Sequence, residues 1–113
     1  MAEIKNVRTK AKTITLNDGV ERELRFTLNA MAEIEERYGS VEKGFEAMQN
    51  NSFKAIRFVL WAGLMESAPE LTERQVGSLI DTQSIEDIIK SMSDALDDDM
   101  PDKKDNVTAL PNA

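Results

Sequence analysis

The side chains most numerous enough to do chemistry here are carboxylates. Asp97, Asp98, Asp99 and Asp102 form a run late in the 113-residue sequence. Such a run could hold a hard cation. A calcium loop, however, spaces its oxygen donors at alternate positions around a glycine and closes with a distant glutamate. This run has neither feature and reads as a solvated acidic segment. Glu33, Glu35 and Glu36 could be proposed as an acid/base set. Neighbouring positions on a helix point apart, so these carboxylates do not converge. They read as a solvated face. The sequence has no histidine and no cysteine. That removes the commonest general base, the commonest metal ligand and any thiolate or disulfide. The glycines match no phosphate-binding loop. No catalytic, cofactor or metal constellation is visible, and the chain reads as a non-enzyme.

Charge narrows the partners. The formal net charge is -7, which argues against phosphate binding as a property of the whole protein. The first twelve residues run the other way, with Lys5, Arg8, Lys10 and Lys12 against Glu3. A basic arm of this kind could touch nucleic acid, but no aromatics are interleaved to stack on bases. It reads as a solvated arm or the start of a strand. From Asp97 onward, five aspartates face Lys103 and Lys104. No secretion signal is evident, so a cytoplasmic protein is expected.

The elements that must position any binding surface are organised around FKAIRFVLWAGLM, residues 53–65. Phe53, Ile56, Leu60 and Leu64 recur at helical spacing. Val59, Trp61, Ala62 and Met65 fill the other sides. From Phe58 to Met65 there is no charge. A helix apolar all round is a buried helix. It is too short to cross a bilayer, which takes roughly 20 residues. The spacing therefore predicts a central buried helix over 53–66, with Trp61 in the core and Gly63 admitting a close-packed helix.

The remaining elements follow in order. Residues 13–28 read as a β-hairpin around Asn17-Asp18-Gly19, with Val20, Arg22, Leu24, Phe26 and Leu28 on one face. A two-residue loop would put the apolar sets of the two strands on opposite faces, which alternation forbids. A three-residue loop sets Leu16 opposite Val20 and keeps Ile14 with Leu24, with Gly19 left-handed. Helices are expected at 29–38, 41–49, 53–66, 73–81 and 85–97. Thr27 or Asn29 can cap the first, Ser40 the second, Ser52 the third and Ser84 the last. Met31, Ile34 and Tyr38 form the inner stripe of the first, ended by Gly39. Val41, Phe45 and Met48 form that of the second, which Gly44 should soften. Thr72 with Gln75 makes a capping box for the fourth, with Leu71 and Val76 as its staple and Leu79 and Ile80 continuing the buried face. The last helix carries one stripe: Ile85, Ile88, Ile89, Met92 and Leu96. Residues 98–113 are expected to be a disordered acidic tail, and 1–12 a basic arm outside the single domain 13–97. The predicted fold class is α+β, mostly α, with an N-terminal β-hairpin packed on about five short helices.

Inner faces carry Met31, Met48, Met65 and Met92. Methionine fills cores and also lines surfaces that grip varied partners. The stripe on the last helix, beside a segment that cannot cover it, is the leading candidate for partner binding.

Residues 13–97 resemble the tail assembly chaperones of long-tailed, siphovirus-type bacteriophages and prophages. The resemblance is carried by a short strand pair ending Leu24-Arg25-Phe26. It continues through NAMAEIEERYGS (29–40), an apolar helix ending Ala62-Gly63-Leu64, and LTERQVGSLI (71–80). It is a pattern of apolar and turn residues, with no catalytic signature. It implies a protein that binds the tape-measure protein, keeps it soluble and promotes tail-tube polymerisation around it. It also implies contact with the tail-tube protein, in many members through a longer form made by ribosomal frameshifting. The implied location is the host cytoplasm, with absence from the mature virion. Neither nucleic acid nor membrane is an expected partner, and no cofactor is expected. Alternative readings are an acidic protein-binding regulator and a structural head–tail joining protein.

Overall fold

The computed structural model describes residues 12–99. The expected arm before Lys12 and the expected tail from residue 100 lie outside the described residues. The fold is mostly α with an N-terminal hairpin, as the patterning predicts. The elements are β1 (Thr13–Thr15), β2 (Glu21–Glu23), α1 (Leu28–Tyr38), α2 (Val41–Gln49), α3 (Phe53–Leu64), α4 (Glu73–Ser78) and α5 (Ile85–Asp99). A 3-10 turn at Thr82–Ser84 runs directly into α5.

The hairpin adopts the three-residue register. Thr13 pairs with Glu23, Ile14 with Arg22 and Thr15 with Glu21, antiparallel. The Gly19 N–H donates to the Leu16 carbonyl at 2.9 Å. Gly19 has φ +78°, a conformation that a Cβ resists. Arg22 donates two hydrogen bonds to Asp18, at 3.1 and 2.8 Å. Those bonds, with one from the Val20 N–H, hold the Asp18 carboxyl below its ordinary pKa. One face of the hairpin is buried through Ile14, Leu16, Leu24 and Phe26. The other residues expected there differ: Arg22 is half-buried, Val20 47% and Leu28 84% exposed. Val20 sits at the turn. Leu28 opens α1, where the two-residue alternation has already ended.

A two-stranded hairpin is marginal alone and needs a packed face. Here α3 supplies it. A Cβ at Gly63 would stand 2.8 Å from Leu24 and 2.9 Å from Phe26. Gly63 therefore admits the segment leaving the hairpin, not another helix. The last carbonyls of a helix lack intrahelical partners, and the Gly63 carbonyl accepts from the Arg25 N–H at 2.8 Å. Ser67 Oγ donates to the Glu23 carbonyl at 2.7 Å. At the turn, the Asn17 N–H donates to the Leu79 carbonyl at 2.9 Å.

Local caps set the helix starts. Thr27, Ser40 and Ser52 each accept a backbone N–H three residues on. Gly39 ends α1 at φ +95°. Thr72 and Gln75 form the full reciprocal capping box, and Val76 behind it is fully buried. Helix α4 stops at Ser78, short of the predicted residue 81, so Leu79 and Ile80 are half-buried at its exit. Ser84 lies inside the 3-10 turn and is not the flanking cap expected of it.

The core gathers around α3, which packs against α1, α2, α4 and α5. Ala55, Ile56, Phe58, Val59, Leu60, Ala62 and Leu64 are buried. Three residues depart from the expected all-round burial, Met65 being half-buried. Phe53 is 67% exposed, and Trp61 is only half-buried. Helix α5 also runs two residues past the predicted end, through Asp98 and Asp99. Asp99 Oδ2 accepts from the Phe26 N–H at 2.8 Å, and Asp98 pairs with Lys12 at 3.4 Å. Those two aspartates are structural parts of the domain, not tail.

Candidate partner-binding surface

The stripe on α5 is mostly used inside the molecule. Met92 is fully buried and Ile88 is 6% exposed. Ile85, Ile89 and Leu96 are half-buried against the core. The helix packs on α2 and α3, so the centre of its stripe faces inward and only its margins reach the surface. Ile88 and Met92 are thus corrected from candidate contact residues to core residues. Ile85 remains partly accessible and lines a groove described below.

Among the described residues, no group of three or more carboxylates could hold a metal ion. Glu35 and Glu36 are exposed and Glu33 is half-buried. Asp97 and Asp98 are exposed on the last turn of α5. Asp102 lies outside the described residues. No described helix is long and apolar enough to cross a membrane.

Two apolar grooves flank α3. The first, of about 510 Å³, has Phe58, Trp61, Met65 and Leu71 among its walls, with Arg37 and Glu73 at its edge. Phe58 and Trp61 stack at 5.5 Å, and Tyr38 meets Phe58 edge-on at 6.1 Å. Partial burial pushes the Tyr38 hydroxyl above its ordinary pKa. Glu33, Arg37 and Glu73 line the groove, and Arg37 is held by contacts within the molecule. The Arg37 guanidinium lies 4.0 Å above the Phe58 ring and 3.7 Å from Glu73. This placement explains why Trp61 is not wholly enclosed: one side faces the groove.

The second groove, of about 360 Å³, lies between the starts of α3 and α5 and the length of α4. Its apolar walls include Phe53, Ile56, Ile80 and Ile85. Lys54, Arg57 and Arg74 stand beside them, and among the described residues no carboxylate lines it. A Cβ at Gly77 would stand 2.8 Å from Arg57 Cδ, so the stem of Arg57 runs across α4 at that glycine. Arg57 Nε donates to Glu73 at 3.2 Å. The signal that could have found this groove is in the sequence. Phe53 and Arg57 are one turn apart on one face, and Lys54 is adjacent. A helix row that carries a cation is a poor candidate for a core row.

Comparison with protein-family models, with curated proteins and with solved structures found no match for this chain.

Proposed function

We propose that this chain is a tail assembly chaperone of the long-tailed bacteriophage kind. It binds the tape-measure protein through apolar helical surfaces and keeps it soluble. It promotes polymerisation of the tail tube around that protein, and then leaves. Its work is non-covalent. The observation that carries this reading is Phe53. It is a large aromatic 67% exposed on a groove floored by the buried Ile56 and walled by the half-covered Ile80 and Ile85. Scattered surface hydrophobics need no explanation, but an exposed aromatic on an apolar groove marks an interaction site. The resemblance of residues 13–97 to such chaperones supplies the partner. A tape-measure protein is a long helical chain with apolar stripes to shield before the tube forms. Helix-in-groove packing suits such a ligand, and a net charge of -7 helps keep the complex dispersed.

The test is co-expression with a tape-measure protein taken from the genome that encodes this chain. The expected result is soluble tape-measure protein that co-purifies with this chain, together with absence of this chain from finished particles. Tape-measure protein that stays equally insoluble with and without it would overturn the chaperone reading. Stoichiometric retention in purified particles would favour a joining protein.

A further inference from the structure

We infer that the Phe53 groove takes an acidic amphipathic helix, one whose apolar stripe is flanked by carboxylates. The inference rests on the chaperone reading and specifies the chemistry of the segment recognised.

The whole sequence has 21 carboxylates against 14 lysines and arginines. A groove drawn from that composition should be lined mostly by acids. This one is lined by Lys54, Arg57 and Arg74, with no acid of the described residues among its walls. Arg57 is partly matched by Glu73, but that same carboxylate also serves Arg37. Three cations around one apolar strip therefore share part of one anion. The first groove differs on this point, since Glu73 and Arg37 both stand at its edge. A ligand with lysines beside its stripe would meet like charge at the Phe53 groove. A ligand with carboxylates would complete the rim, and complementary rims decide which partner docks and in what register. The apolar walls come from α3, the segment leaving α4 and the start of α5, and such a groove is read by anchors one turn apart on a partner helix. The exposed Phe53 is the natural central anchor.

The experiment titrates the full isotope-labelled chain with two synthetic helical peptides of about five turns. Both carry one leucine stripe. One has glutamates beside the stripe, the other lysines. The glutamate peptide should shift the amide resonances of Phe53, Lys54, Ile80 and Ile85. Its affinity should fall about ten-fold or more when ionic strength rises from about 0.15 to about 1 M, as the screening length shrinks from about 8 to 3 Å. The double variant Lys54→Glu/Arg74→Glu should lose a similar factor, and Phe53→Ser should as well. All three positions are exposed, so melting of the free variants serves as the folding control. Equal or tighter binding of the lysine peptide overturns the inference. So does a dimer of this chain that forms through the groove and dissociates in the double variant.

The same double variant, co-expressed with the tape-measure protein, separates this inference from the reading beneath it. Tape-measure protein held by the unaltered chain and lost by the variant supports both. If both chains hold it equally, the acidic-helix inference fails and the chaperone reading stands. If the unaltered chain fails to hold it while the glutamate peptide still occupies the groove, the chaperone reading fails and the groove's selectivity survives.

Discussion

At the residue scale, Gly44 shows how a helix can be built on a poor helix former. Propensity alone says that alanine at a helix interior is better than glycine by about 1 kcal/mol. The surroundings of Gly44 reverse that preference. It is buried on the face of α2 that meets α1. A Cβ there would collide with Ile34 Cγ2 and stand 3.2 Å from the Tyr38 ring. Ile34 is fully buried, and the atom met is the methyl on its branched Cβ, which cannot swing aside as the end of a flexible side chain can. Overpacking of a filled core typically costs about 1–3 kcal/mol, which exceeds the gain in propensity. Gly44→Ala should therefore lower stability by about 1–2 kcal/mol, seen as a lower urea midpoint at unchanged slope. A variant more stable than the parent would mean that α1 and α2 can separate slightly at no cost. The glycine read from sequence as a source of softness is, on this geometry, what lets two helices meet.

At the element scale, what was legible in the sequence was what short spacings determine. The capping box needs only Thr72 and Gln75, three residues apart, and it formed as expected. The hairpin register followed from parity, because only one loop length puts Ile14, Leu16 and Leu24 on one side. The misread elements depend on distant partners. Asp98 and Asp99 oppose the dipole at the end of a helix, so locally they look like the start of a tail. The contact that holds Asp99 joins residues 73 apart. The centre of the α5 stripe, Ile88 and Met92, is buried for a related reason, since regular apolar spacing records the face a helix turns to its core. Phe53 fits the spacing of the α3 stripe but precedes its covered part, which starts at Ala55. The docking of α5 yields a prediction. Asp99→Ala removes the acceptor of the Phe26 N–H, a group beside a side chain only 2% exposed. Leaving such a donor unpaired costs about 1–3 kcal/mol. For a domain of this size each kcal/mol moves the melting midpoint by about 4–8 °C. A chain ended at Leu96 should melt below one ended at Asp99 by at least as much as this substitution does. Equal midpoints would show that the last turn of α5 does not support the hairpin.

At the scale of the whole molecule, two electrostatic effects of opposite sign coexist. The chain carries a net charge of -7, so its acidic groups repel one another and any acidic partner. The described ion pairs are short, from 2.8 Å for Arg22–Asp18 to 3.7 Å for Arg37–Glu73, and lie at or near the surface. Salt screens long distances first. Raising ionic strength from about 0.01 to about 0.15 M shortens the screening length from about 30 to about 8 Å. That removes repulsion across the molecule and leaves contacts of a few ångströms largely intact. The melting temperature of the free protein should therefore rise over this range. An acidic helix approaching the Phe53 groove meets the same two effects. Below about 0.15 M it is held off by the net charge, and above that the attraction of Lys54, Arg57 and Arg74 is itself screened. Its affinity should pass through a maximum between the two regimes, while the melting temperature shows no fall on the low-salt side. Both curves can be measured on one preparation, by thermal melts and by titration with the glutamate-flanked peptide. Affinity that falls steadily from the lowest salt would mean that the three cations outweigh the net charge at every distance. Affinity that rises throughout would mean that they contribute nothing, and that the groove binds by apolar contact alone.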